Sequence, residues 1–271
     1  MTELPEGYDF KGAVFDLETP KDRQILCFVL SQALYGEATG VYCGKSLFGA
    51  YSLEAARFYT RQARQELGHL QMFADIFRAL ELQPQKAHWI IRLLSSHNNY
   101  YPLKVLMEHA IGEGMVLDIF KDVLLQTLPD ADPRVLEIKK KLLVICREEA
   151  EHVAWGEKES KFMLKRRPWL ETPYYGLVQM QLIAVRWLAK RIKRKLGGHP
   201  VVDQLPDFIH HVEQRILAQG KAIGFVPDTQ PNLAKRLTAI LWGLLLYLRS
   251  QFSRSESKID KIYRKELGFE K

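Results

Sequence analysis

Residues 148–160 read EEAEHVAWGEKES, and within them Glu149 and His152 stand three positions apart. Upstream, residues 64–70 read RQELGHL, where Glu66 and His69 have the same spacing. Three residues along an α-helix is about 300° of rotation, so each pair leaves one face of its helix a turn apart. Each helix then offers one carboxylate and one imidazole to a single ion. Two such helices facing each other would hold two ions, provided two further helices each add a carboxylate. One Glu-x-x-His is a weak signal in a chain of this size; two, each inside an apolar periodic run, are a much stronger one.

The remaining chain supplies the helices. Apolar residues recur at three and four, alternating Val/Thr-rich runs are scarce, and the prolines cluster outside the long periodic segments, so the fold class is all-α. The pattern predicts helices at about 20–48, 52–82, 85–95, 102–127 and 133–164, then at about 173–196, 203–222 and 231–265. Thr19 with Pro20, Ser52, and Asp132 with Pro133 are the expected starts of the first, second and fifth. The expected organisation is a four-helix di-metal core at 15–165, followed by a basic helical extension at 166–271 packed on or beside it.

Two acidic residues suit the third and fourth helices of such a site. Glu37 stands alone in a stretch otherwise uncharged from Gln24 to Gly44. Glu113 lies on an apolar stripe with Leu106, Ala110, Leu117, Phe120 and Leu124, whereas Glu108 lies on a weaker one with Val105, Gly112, Met115 and Ile119. YGEATGVY at 35–42 and IGEGMVLD at 111–118 also read alike, which suggests two helical hairpins related by a pseudo-twofold axis. The expected metal ligands are therefore Glu37, Glu66, His69, Glu113, Glu149 and His152, with Glu108 as the alternative to Glu113. The competing account, solvated glutamates and core histidines, has a cost. Burying several carboxylates without a cation is unfavourable by on the order of several kcal/mol each.

Composition excludes little and frames the rest. The chain has 271 residues, 47% of them hydrophobic, enough for a large core, and a formal charge of +7. Cys27, Cys43 and Cys146 form no Cys-x-x-Cys pair and are expected to be reduced thiols in the cytoplasm. The polar start MTELPEGYDF lacks a secretory pattern, and the most apolar run, LTAILWGLLLYL at 237–248, is too short to span a bilayer.

Taken together, the six ligands resemble the ferritin-like di-iron carboxylate superfamily, which includes ferritins, rubrerythrins, the ribonucleotide reductase small subunit, acyl-carrier-protein desaturases and aldehyde-deformylating oxygenases. The resemblance covers about residues 20–165, and YGEATG and EHVAWGE are similar to the aldehyde-deformylating group. In that group the third glutamate falls earlier in its helix, which would favour Glu108. The resemblance implies two iron ions, or an Fe/Mn or Mn/Mn pair, together with O₂, an organic substrate and an electron donor. Mixed carboxylate and imidazole ligands suit those metals. A monooxygenase acting on a fairly apolar substrate is the expected function. The alternatives are a ferroxidase or iron-binding protein of the same fold, and a non-enzymatic helical module that binds membrane or RNA.

Several neighbours carry two readings. Gly36, Gly40 and Gly44, each four apart, either leave room for a substrate tail beside Glu37 or allow close helix packing. Tyr59 is a redox or hydrogen-bonding group at the site, or a core aromatic. Cys146 lines the pocket or is an inert buried thiol, and Trp155 is core. Asp118 and Asp122 orient the ligand histidines or are solvated. His210 and His211 read as helix surface. From Lys161 to Lys195 ten Lys or Arg face one acid, Glu171, so the extension suits an anionic membrane surface or an acidic carrier protein. The apolar run at 237–248 covers the bundle, meets a second copy or touches lipid.

Overall fold

Glycine and proline set where the helices begin and end. In the computed structural model, which describes residues 7–94, 100–229 and 231–251, helix α1 (Pro20–Gly40) is continued by a 3₁₀ segment, Val41–Gly49. The expected single helix to 48 therefore changes character at Gly40, where closely spaced glycines weaken the α-helix. Thr19 does not cap α1. Its hydroxyl donates instead to the Asp16 carbonyl, at 3.2 Å. Ser52 does cap α2 (Leu53–Ala79), accepting from the Ala55 amide at 3.0 Å.

Helix α3 (Trp89–Leu94) starts later than the expected 85, because the preceding backbone is tied to α1. The Gln85 amide donates to Ser31 Oγ and the His88 amide to Gln32 Oε1. Residues 101–127 form one continuous helix, α4, with two π segments at Val105–Gly112 and Ile119–Leu124. The Glu113 amide donates to the Glu108 carbonyl, five residues back, which widens the turn just before Glu113. Helix α5 (Pro133–Arg166) opens on Asp132, whose carboxylate accepts from the Arg134 amide.

After a 3₁₀ turn at Pro168–Leu170 come α6 (Glu171–Leu196), a short α7 (Pro200–Asp203), α8 (Leu205–Ile223) and α9 (Leu233–Gln251). The predicted helix at 203–222 is α8, which begins two residues later, and the short α7 precedes it. The part of the last predicted helix at 252–265 lies outside the described residues. No strand occurs among the described residues, and the fold is an all-helical bundle.

One buried cluster runs from α1 and α2 (Leu26, Leu30, Phe73) through α4 and α5 (Phe120, Leu142) into α6 and α8 (Val178, Ile216). The extension also grips α4 by polar contacts. The Tyr174 hydroxyl donates to the Pro102 carbonyl at 2.6 Å, Gln219 Nε2 to the Ala110 carbonyl at 2.7 Å, and Arg215 pairs with Asp118 at 2.8 Å. Two of these contacts lie at or beside the widened turns, so α8 braces the helix that carries Glu113. On the other side α5 comes close at Gly156, where a Cβ would fall 2.6 Å from the Ala110 amide nitrogen.

Candidate metal centre

Glu37 on α1, Glu66 and His69 on α2, Glu113 on α4, and Glu149 and His152 on α5 converge inside the four-helix part. All are buried except Glu113, which is nearly so. The two imidazoles turn Nδ1 inward. His69 Nδ1 lies 2.8 Å from Glu37 Oε2, 3.7 Å from Glu66 Oε2 and 3.3 Å from Glu149 Oε1. His152 Nδ1 lies 3.8 Å from Glu66 Oε1, 3.6 Å from Glu149 Oε2 and 3.5 Å from Glu113 Oε2. Glu66 and Glu149 thus each present one oxygen to each histidine, as bridging carboxylates do. Glu37 and Glu113 each stand on one side only. The arrangement has the twofold character that the paired motifs suggest.

These donors form two overlapping groups whose atoms lie within 4.8 Å of one another: Glu37, Glu66, His69 and Glu149, and Glu66, Glu113 and His152. His152 Nδ1 and Glu113 Oε2 are buried and find no hydrogen-bond partner among the described residues. Two buried acceptors, a carboxylate oxygen and an imidazole lone pair, facing each other across 3.5 Å are the donor set a cation takes. Glu108 is drawn away from this space by an ion pair with the buried Lys104, so the carboxylate brought to the centre is Glu113.

Four residues that spacing alone did not single out complete the site. His69 Nε2 meets Glu148 Oε2 at 2.7 Å, and His152 Nε2 meets Gln65 Oε1 at 3.0 Å. An acceptor on Nε2 puts the proton there and leaves the Nδ1 lone pair for the centre. The pattern is reciprocal: the residue just before the bridging glutamate of one helix holds the histidine of the other. Gln65–Glu66 and Glu148–Glu149 carried that signal in QELGH and EEAEH. Gln62 Nε2 donates to Glu66 Oε1 and Glu113 Oε1, and His109 Nδ1 lies 2.9 Å from Glu113 Oε1. His109, one turn before Glu113 in EHAIGE, was legible by the same helical arithmetic.

Asp118 and Asp122 do not orient the histidines, and neither is solvated. Asp118 pairs with Arg215, while Asp122 accepts the Tyr8 amide and pairs with Lys121. Tyr59 is fully buried, its ring 5.5 Å from those of His109 and Trp155, and its hydroxyl has no partner among the described residues. Trp155 stacks on Phe58 at 3.7 Å, and Phe58 meets His152 edge-on, which closes that side of the centre with hydrocarbon. All three cysteines are free and buried, and burial pushes the Cys146 thiol up to about 12, so it is inert. His210 is exposed and His211 half-buried on α8.

The glycines divide between the two readings. A Cβ on Gly40 would fall 2.5 Å from Glu66 Cδ, so glycine there makes room for a bridging carboxylate. At Gly44 the nearest atom is Ala63 Cβ at 3.5 Å, an ordinary helix contact. Nothing lies within 4 Å of a Cβ on Gly36, and Gly36 and Gly40 are partly exposed.

Without a cation the cluster must hold protons. Burial, together with Glu149 and Glu66, pushes Glu37 well above the usual carboxylate range, against the His69 hydrogen bond. Burial, Glu149 and Glu66 likewise raise Glu113. Burial would lower His69, but Glu149, Glu37 and Glu66 hold it protonated. Burial would also raise Glu149, yet His152 and His69 carry it down to about 2. Divalent cations would displace those protons, and four carboxylates balance two of them.

No protein-family model, curated protein or solved structure matches the chain.

Proposed function

We propose that the protein is a di-metal oxidoreductase of the ferritin-like carboxylate class. In this proposal it binds two iron ions, or an Fe/Mn or Mn/Mn pair, and uses O₂ and an external electron donor to oxidise a fairly apolar organic substrate as a monooxygenase. One observation carries the proposal: two glutamates each offer one oxygen to each of two inward-facing Nδ1 atoms. Once bound, a reduced pair of this kind supplies O₂ binding and reduction.

The chain's own residues do the rest. Glu37, Glu66, His69 and Glu149 would hold one ion, and Glu66, Glu113, His152 and Glu149 the other. Glu148 and Gln65 fix the imidazoles. Gln62 and His109 hold the Glu113 carboxylate through Oε1 and leave Oε2 for the centre. Phe58 and Trp155 exclude water, and an apolar substrate would approach along Gly36 and Gly40.

Anaerobic titration of the purified chain with Fe(II), followed by O₂ uptake, tests this. Binding that saturates near two ions per chain, with O₂ consumption that then stops until reductant is added, is the expected result. Continued oxidation of many irons per chain would make the protein a ferroxidase instead. Failure to bind Fe(II) or Mn(II) would refute both and leave a non-enzymatic helical module.

A further inference from the structure

We infer that the outer face of α9, with the adjoining part of α6, is a docking surface for an anionic lipid bilayer. The inference is independent of the metal centre. Helices α6 and α9 run antiparallel and meet through glycines. A Cβ on Gly176 would fall 1.8 Å from the Ala239 carbonyl oxygen, and one on Gly243 2.9 Å from that of Pro173. This close seam uses up one side of α9. The other side carries Leu233, Leu237, Leu241, Leu245 and Leu248, four or three apart in one stripe, with Trp242 beside them. These six are 47% to 70% exposed. So many large apolar side chains on one helix face need a cover.

The charges say which cover. Along α6 a single stripe reads Ile183, Trp187, Arg191, Arg194, so exposed hydrocarbon passes directly into exposed cation. Arg191 lies over the Trp187 ring at 5.3 Å, and Trp89 of α3 stands against the same ring. Lys190, Lys193 and Lys195 lie nearby, Lys235 marks the start of α9 and Arg249 its end. Helix α9 contains no acidic residue, and α6 contains one, Glu171 in its first turn. A second copy seated on this face would bring cations against cations.

A bilayer with anionic headgroups satisfies every group present. Leucines enter the upper acyl region, tryptophans sit at headgroup level, and Lys and Arg meet phosphates. Among the described residues no helix is long and apolar enough to cross a membrane, so α9 would lie in the surface plane.

Vesicle co-sedimentation of the full chain tests the inference. Binding is expected to vesicles of equimolar phosphatidylcholine and phosphatidylglycerol, weaker with added salt and weaker still to phosphatidylcholine alone. Leu241→Glu with Trp242→Glu should lower the partition constant by on the order of tenfold or more, with unchanged helical circular dichroism. Lys190→Glu with Arg194→Glu should weaken binding to the anionic vesicles alone, which keeps the test decisive if the first pair perturbs folding. The inference is overturned by no binding to either vesicle, by binding that both pairs leave intact, or by a solution dimer that the Leu241/Trp242 pair splits.

Discussion

Replacing Gly40 by alanine should disable the metal centre without weakening the helix that carries it. A Cβ there would lie 2.5 Å from both Cδ and Oε2 of Glu66, where ordinary contact begins at 3.4 Å. The carboxylate must therefore retreat by about 0.9 Å, several times the roughly 0.2 Å latitude of a metal–oxygen bond. Glu66 has little freedom to retreat and still bridge, because its oxygens lie between His69 Nδ1 at 3.7 Å and His152 Nδ1 at 3.8 Å. Affinity should fall by about tenfold to a hundredfold, as when support of a metal ligand is disturbed. Alanine at the end of α1 gains at most about 1 kcal/mol of helix propensity over glycine, and displacing Glu66 offsets part of it, so the metal-free protein should melt close to the parent. Gly36→Ala is the control, since a Cβ there meets nothing within 4 Å. Anaerobic Fe(II) or Mn(II) titration beside thermal melts of the metal-free proteins gives both readouts. Two ions bound by Gly40→Ala at parental affinity would refute the bridging role of Glu66.

Glu148→Ala should weaken the ion held by His69, and Gln65→Ala the one held by His152, each by about tenfold to a hundredfold in a two-step metal titration; Glu148→Gln should recover part of the loss. Free metal at about a hundred times Kd should add roughly 2.7 kcal/mol of unfolding stability for each independent site, and a melting temperature unmoved by chelator would contradict metal binding. Asp22 gives an acid-stability test. Burial pushes its carboxyl up, but the Asp16 amide at 2.7 Å and His199 at 3.1 Å outweigh that and hold it below the usual range. A carboxyl depressed in the folded state contributes stability that is complete above its unfolded value of about 3.9 and is lost as pH falls through the lower folded value. Asp22→Asn should therefore be least stable relative to the parent near neutrality, with the gap closing below about pH 4 in denaturant melts.

Much of this arrangement was legible because a helix converts spacing into direction. Glu66 with His69 and Glu149 with His152 needed only the 3.6-residue repeat, and Glu37 needed only its isolation among uncharged neighbours. Glu113 was harder. The widened turns of α4 alter the register between Glu108 and Glu113, and a constant repeat cannot represent them. In the structure Lys104 pairs with Glu108, and Glu113 is the carboxylate that joins the buried cluster. The roles of Glu148 and Gln65 left only a faint trace, their adjacency to Glu149 and Glu66, for another reason. Each acts on a histidine of the opposite helix, and cross-helix pairing has no spacing rule within one helix. Asp118 and Asp122 failed the same way: their partners, Arg215 on α8 and the Tyr8 amide in the N-terminal segment, are remote in sequence.

That reciprocal holding bears on what the centre is for. A buried ion pair is seldom a gain in stability by itself, since desolvation offsets most of the attraction. Four glutamates around two imidazoles would therefore be a poor way to hold four helices together. A proton-sharing network would explain the burial but not the geometry. It has no use for two histidines whose outer nitrogens are both tethered and whose inner nitrogens both face carboxylates. Nor does it account for a glycine kept beneath a carboxylate, or for a third histidine and a glutamine turned on Glu113, supports that Glu37 on the other side does not have. Each of these features has a use if cations are gripped between the helices. The two sides also differ: the Glu113 side is backed by Gln62, His109 and the aromatic wall, whereas the Glu37 carboxylate meets His69 beside Gly40.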